Sequence, residues 1–558
     1  MQSRIGMRVG WLLAGEVALS LAACGGGGAP GAAPAAGGSA LAGNATTGGS
    51  PGASGAAHGG SASDSGGRSA AGGVSAGGSP STGGANSSAG GSGDTLGSDA
   101  GSTAMGGSAG VNSGGGSSAG SAGGPSDGPL PPSVTSLFPK PGASGVCLDA
   151  SLTMTFASAP SIGSKGTISV YAKANPNTAV DKVDVAATSY SDSIGGQTRN
   201  LVRPVFIDGT SAVIYLHQHK LSANTAYFVT VSAGTFVDAQ KNPIGTVSEQ
   251  TAWSFSTGAA PAASTSMAVN RTGSGGFCSV QGAFDAIPNN DAGPRTITIA
   301  AGNYHELLYV SGKKQLTLRG ADRAGTVIQY PNNDNLNAGT SARPLFYANG
   351  TTDLTIENLT LHNTTPQDGS QAEALRVQAD RVTLRDVNLK SLQDTLLTGG
   401  SVYVVNSYLE GNVDFVWGTG PTYFDRCEIK TVGRAGAIVQ ARNGASSYGY
   451  VFVDSKITND AKVSGQVLAR IDATVYPASN VAFLNCQMGS GIGAKGWTIT
   501  PAGTSATDQL RFWEYQSTDL GGALLNVSGR DPASKQLSAS QAASLRDKPT
   551  VLGGWDPK

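Results

Sequence analysis

Asp394 and Asp414 each lie eight residues after a polar residue, Asp386 and Asn406, that holds the same place in a recurring octet. Equal phase in neighbouring coils would set the two carboxyl groups side by side, since adjacent strands lie ~4.8 Å apart. Two acids that close repel unless one keeps a proton or a cation neutralises them. Such a pair is suited to acid/base or nucleophilic work. The same spacing also admits an exposed aspartate ladder, or a Ca²⁺ site that uses both carboxylates. Gln393 precedes the first acid and Gln371 lies one coil earlier. Neutral amides at those places can donate hydrogen bonds to an oxyanion. Phe415 and Trp417 flank the second acid, where a sugar platform would stand, although either also suits a core position.

The octet that sets this phase reads apolar, any, apolar, any, polar, any, any, apolar. Copies run over 354–361, 382–389, 402–409, 422–429, 450–457 and 481–488, and most carry Asn or Asp in fifth place. The shortest intervals, from 382 to 402 and from 402 to 422, are equal, and the others are longer. Strands at such intervals with polar turns imply stacked coils, each covering the last. A parallel β-helix satisfies this, with the excess over the shortest interval projecting as loops. Propeller blades need four strands over about 40 residues or more, which the shortest intervals cannot hold.

Upstream, a different grammar prevails. Runs over 151–156, 166–171, 212–216, 226–231 and 253–257 alternate apolar and polar residues, with turn signals between them. They predict a small β-sandwich over 131–258. Its opening Phe138-Pro-Lys-Pro-Gly and closing Trp253-Ser-Phe-Ser-Thr resemble bacterial Ig-like modules of cell-surface proteins. A spacer or an accessory binding surface is the role expected of it.

The chemistry-bearing blocks carry a more specific likeness. Gln371-Ala-Glu-Ala-Leu-Arg-Val377, Leu392-Gln-Asp-Thr-Leu396 and Gly411-Asn-Val-Asp-Phe-Val-Trp-Gly418 resemble the signature blocks of pectin methylesterases (pectinesterases). In the same order come Ala301-Gly-Asn-Tyr-His-Glu306, Val467-Leu-Ala-Arg470, Arg511-Phe-Trp-Glu-Tyr515 and Leu552-Gly-Gly-Trp-Asp-Pro557. The resemblance implies an all-β fold whose catalytic domain, 262–558, is a right-handed parallel β-helix. It also implies hydrolysis of the C6 methyl esters of pectin. Asp414 would be the nucleophile, and Asp394 the general acid and then base. Gln371 and Gln393 would hold the oxyanion, and Arg470 would pair with Asp414. Phe415, Trp417, Arg442 and Trp497 would contact substrate. That mechanism needs no metal and no cofactor.

Three departures touch the sugar groove. Ile471-Asp472 follow Arg470 where the family has Pro-Trp, Leu397 replaces a Tyr, and Gln440-Ala-Arg442 replaces Gln-Gly-Arg. The expected partner is pectin or another esterified uronate polysaccharide. A pectate lyase or glycoside hydrolase on the same coil, and a catalytically impaired cell-surface polysaccharide-binding protein, remain alternatives.

The amino terminus reads as an address. Arg4 and Arg8, an apolar stretch and Leu21-Ala-Ala-Cys24 resemble a bacterial lipoprotein signal, expected over 1–23, with Cys24 lipidated. Export follows, with anchoring to the outer membrane or cell surface, or secretion under an ordinary signal. Of the 82 Gly, 37 fall between Gly25 and Gly128, a stretch without Phe, Tyr, Trp or Ile. The segment 24–130 is therefore expected to be a disordered Gly/Ser/Ala-rich tether. A net charge of -1 without a basic run argues against nucleic acid, and a monomer is expected. Cys147, Cys278, Cys427 and Cys486 allow two bridges in three connectivities. Cys147 and Cys278 open the two folded regions, so a bridge there would pin them together. Cys427 and Cys486 share a slot of the octet, but an intervening copy separates them.

Overall fold

The computed structural model describes residues 129–273, 276–502 and 509–558. The signal, Cys24 and all but the end of the Gly/Ser-rich segment lie outside the described residues.

A small three-stranded sheet and two larger, mainly antiparallel ones form the first module. One orders strands Val134–Phe138, Leu152–Phe156, Ser211–Ile214 and Val205–Asp208, and the other Ala143–Val146, Ser254–Thr257, Ala226–Val231, Thr167–Ala172 and Ala179–Asp184. Within the second sheet the pairing of Ala143–Val146 with Ser254–Thr257 is parallel. Inward positions of both sheets share a core that includes Leu152, Met154, Val170, Val229 and Trp253. Trp253 is fully buried and its indole N–H donates to the Pro139 carbonyl at 2.9 Å, as a buried indole requires.

The second module is a parallel β-helix. A representative coil runs Leu396–Thr398, Val402–Val405 and Tyr408–Gly411, and the next runs Val416–Gly418, Thr422–Asp425 and Glu428–Thr431. Each of these strands pairs in parallel with its counterpart one coil on, Val402 opposite Thr422 and Tyr408 opposite Glu428. Between the second and third strands the fifth residue of each octet adopts positive φ: Asn358 59°, Asp386 51°, Asn406 50°, Arg426 53°, Asp454 49° and Asn485 52°. This left-handed region explains the Asn/Asp preference, because their short polar side chains tolerate it best after Gly. Backbone N–H groups of the same residues join coil to coil, as in Asp386 to Val405 and Asn406 to Asp425, both 3.1 Å.

Inside the coil, like residues stack. Phe424, Phe452 and Phe483 stack with nearly parallel rings at 4.3 and 4.5 Å between centroids. The helix Val280–Ala286 packs against the first coils, and the carboxy-terminal helix Ala539–Arg546 packs Ala542 and Leu545 over Tyr403, Tyr423 and Val451 on the outer wall.

The sandwich is less separate than the sequence suggests. A hairpin, Ser189–Ile194 with Gln197–Val202, leaves it, and Ile194 and Leu201 are buried in the β-helix core. Cys147 and Cys278 form a disulfide with Cα atoms 6.0 Å apart. Asp149 accepts from the Cys278 and Ser279 backbone N–H groups at the same seam. Cys427 and Cys486 are buried free thiols, and burial pushes each up to about 12.

Candidate active site

Gln393 bridges Val413 in parallel register, and the Asp394 N–H donates to the Val413 carbonyl at 3.1 Å. Asp394 and Asp414 therefore follow at the same phase of adjacent coils, just before strands Leu396–Thr398 and Val416–Gly418. Each has positive φ, 68° and 47°. These are the bends that turn the chain from one wall of the coil into the next, and only 7% and 6% of the two residues' surface stays exposed.

Different cations attend the two acids. The Arg470 guanidinium grips Asp414, with Nε 2.8 Å from Oδ1 and 3.1 Å from Oδ2 and Nη2 also on Oδ2. Register places Arg470 beyond Gln440, which itself lies opposite Trp417, so the arginine reaches back along the face. The Gln440 amide also donates to Asp414, at 3.4 Å.

Asp394 faces Arg343, whose Nη2 lies 2.8 Å from Oδ2. That arginine is already committed: Glu373 takes its Nε and Nη2 at 2.8–3.1 Å, and Asp334 its Nη1 at 3.1 Å. Burial weighs against the Arg343 cation, but Glu373 and Asp394 hold its pKa above the ordinary value. With its charge spent on Glu373, Arg343 relieves Asp394 only in part. Burial first, then the Glu373 charge and then Asp414, push the Asp394 carboxyl well above the usual carboxylate range, against the pull of Arg343 and Arg442. The pair is thus polarised, one carboxylate in an ion pair and one carboxyl disposed to hold a proton.

A face of outward side chains runs past these acids. Parallel pairing aligns Tyr309, Tyr347, Arg376, Leu397, Trp417, Gln440 and Arg470 in successive coils. Trp417 carries the Arg442 guanidinium over its ring at 4.6 Å, and its indole N–H is buried without a partner. Gln371 and Gln393 are both half-buried on this side, with Gln371 Oε1 accepting from Ser370.

Two expected substrate contacts are corrected. Phe415 is fully buried in the coil core, and so is Trp497, which stacks on Phe512 at 5.0 Å. Phe415 turns inward because the bend at Asp414 changes the alternation. Trp497 lies opposite the core residue Ala469, on the inner phase. Neither can serve as a sugar platform; Trp417 lies instead in the outer column, 7% exposed beneath the Arg442 guanidinium.

Arg343, Glu373, Tyr347, Tyr309 and Tyr476 went unremarked in the sequence. Glu373 falls one residue off the regular interval before Asp394, so octet counting missed its place in the same column, which the pairing of Leu375 with Leu396 reveals. Arg343 sits in a loop that no periodicity marks. Tyr476, with Arg442 over its ring at 5.7 Å, supplies an aromatic near the place where the expected Trp is missing. Leu397 fills its column between Arg376 and Trp417. Asp472 is exposed and caps a turn by accepting from Thr474.

Comparison with known proteins gives this arrangement its family. Residues 266–544, half of the chain, match the pectinesterase family. This chain belongs to the pectinesterase family. Residues 129–257 match the bacterial Ig-like domain. Pectinesterase 2 of Olea europaea is 31% identical over 289 residues, covering 48% of this chain and 74% of that protein. Pectinesterase 31 of Arabidopsis thaliana is 29% identical over 288 residues, 49% of this chain and 88% of that one. A solved pectin methylesterase from carrot superposes with a TM-score of 0.47 at 24% identity, covering 52% of this chain and 93% of that one. As a pectinesterase the chain is a carboxylic ester hydrolase, and the polarised aspartate pair lies within the matched region.

Proposed function

We propose that this protein hydrolyses the C6 methyl esters of pectin, with Asp414 as nucleophile and Asp394 as general acid and base. The observation that carries the assignment is the asymmetry of the pair: Arg470 forks onto Asp414, whereas Asp394 is driven toward its protonated form. A carboxylate oxygen of Asp414 attacks the ester carbonyl carbon. Negative charge builds on the carbonyl oxygen, where the Gln371 and Gln393 amides donate. The carbon–methoxyl bond breaks as Asp394 gives its proton to the departing oxygen, so methanol leaves and an acyl-aspartate remains. Asp394, now a carboxylate, takes a proton from water. The hydroxyl adds to the same carbonyl, the bond to Asp414 breaks, and the uronic acid is released with both aspartates restored, then gives its own proton to solvent to become the uronate.

Trp417 and Arg442 form the sugar platform beside the pair, with Tyr476 below Arg442. The fold and family support action outside the cell. The signal-like amino terminus supports export with a lipid anchor at Cys24, the remaining polar segment acting as a tether for a monomeric enzyme. The test is methanol release from highly methylated pectin by the full-length protein, with and without EDTA. Methanol should appear in both, with no unsaturated uronate product and no new reducing ends. Unsaturated or shortened chains without methanol would favour a lyase or glycosidase.

A further inference from the structure

We propose that Arg199, on the hairpin of the Ig-like module, and Arg376 of the β-helix together form a subsite for the free carboxylate of an already de-esterified uronate. The subsite lies about 10–15 Å along the groove from Asp414, two to three strand spacings away.

The hairpin is built into the groove. Gly195 at its tip (φ 54°) sits so close to Tyr309 that a Cβ would lie 2.8 Å from the Tyr309 carbonyl oxygen. Asn200 and Asn337 exchange hydrogen bonds of 2.8 and 2.7 Å. Arg199 Nη2 donates to the Ser341 carbonyl at 2.9 Å, while Arg376 Nη1 donates to Thr340 Oγ1 at 3.1 Å. Both guanidinium groups are thus moored to one short loop. Between them stand Tyr347 and Tyr309, in edge contact at 5.5 Å and joined through Asn349, with Arg376 at 4.4 Å over the Tyr347 ring.

Neither arginine makes an ion pair with a carboxylate among the described residues. Asp192, opposite Arg199 in the hairpin, instead accepts from the Ser193 and Gln218 backbone N–H groups. The Arg376 Nε–H is buried without a partner. Burial holds the Arg199 pKa below its ordinary value, as befits a desolvated cation lacking an acidic partner. Two planar forks beside two aromatic rings, in the column that leads to Trp417, match an anionic sugar. The product of the reaction carries that charge and its substrate does not, so the subsite would favour esters next to stretches already cleaved.

This inference rests on the esterase reading above. The experiment compares KM and kcat on fully methylated and partly de-esterified oligogalacturonides for the wild-type protein, Arg199→Gln, Arg199→Lys and Arg376→Gln. The wild type should show the lower KM on the partly de-esterified set. That preference should shrink about tenfold in Arg199→Gln, as for loss of one charged hydrogen bond. The change should fall in KM, be partly restored in Arg199→Lys, and recur in Arg376→Gln, which leaves the hairpin untouched. An unchanged preference, or an equal loss on both substrates, would overturn the subsite while the esterase reading stands. Absence of methanol from both substrates with the wild type would overturn that reading and the subsite with it.

Discussion

At the scale of single residues, the proposed chemistry depends on two aspartates being made unlike. Both arise from the same bend in successive coils, so the backbone does not distinguish them. Arg470 forks onto Asp414, while Arg343 is shared three ways among Asp394, Glu373 and Asp334. In the proposed role of acid, Asp394 must be protonated to release methanol, and its raised pKa means that it keeps the proton above the usual carboxylate range. Activity should therefore fall as pH rises through that raised value. Asp394→Asn should lose about 10²–10⁴-fold in kcat and no longer show this alkaline limb, read from a pH–rate profile. An unchanged profile would remove Asp394 from the proton transfer. From the sequence, the shared phase of the octets made this pair legible. The reason for its asymmetry was not, because Glu373 breaks the count by one place and Arg343 comes from a loop.

The repeating element of the fold is a turn, and its demand on the backbone is local. Asn, Asp or Gly satisfies positive φ cheaply, whereas Arg426 holds φ 53° with a longer, largely exposed side chain that pairs with Asp425. Arg426→Asn should therefore stabilise the protein by about 0.5–1 kcal/mol, since a pair whose arginine is largely in water contributes little and left-handed backbone costs a bulky residue more. Chemical denaturation would measure it, and a loss of stability would mean that the Asp425 pairing outweighs the backbone. The octet was readable because strand alternation and the Asn/Asp slot recur together. Phe415 and Trp497 were not, since an aromatic beside a catalytic block looks the same in sequence whether the preceding bend sends it inward or outward.

In the whole molecule, the Ig-like module and the β-helix share a covalent bridge, a hairpin and a buried carboxyl. Glu306 is buried near the seam and accepts from the Val280 and Gln281 N–H groups at 3.0 Å. Burial, aided by Asp149 and Asp285, pushes its pKa up to about 7. Its protonated form is therefore favoured by folding. The stabilisation is complete below the unfolded value of about 4.3 and is lost as pH rises toward and through about 7. Melting temperature should fall between about pH 5 and 8 in the wild type, and Glu306→Gln should flatten that slope. Equal slopes would show that Glu306 does not titrate there. Sequence alternation exposed the sandwich as a separate module. It could not show the hairpin entering the other core, because Ile194 and Leu201 are apolar positions whose partners come from the next module, Met267 onward.

The proposed reaction turns on Asp414, which sits at a positive-φ bend under the Arg470 guanidinium. The most direct measurement is methanol release from methylated pectin by full-length Asp414→Ala, with its circular dichroism and melting temperature recorded beside the wild type. A folded variant whose turnover has dropped by at least about 10³-fold is the expected result. A folded Asp414→Ala protein that releases methanol at the wild-type rate would contradict the nucleophile assignment.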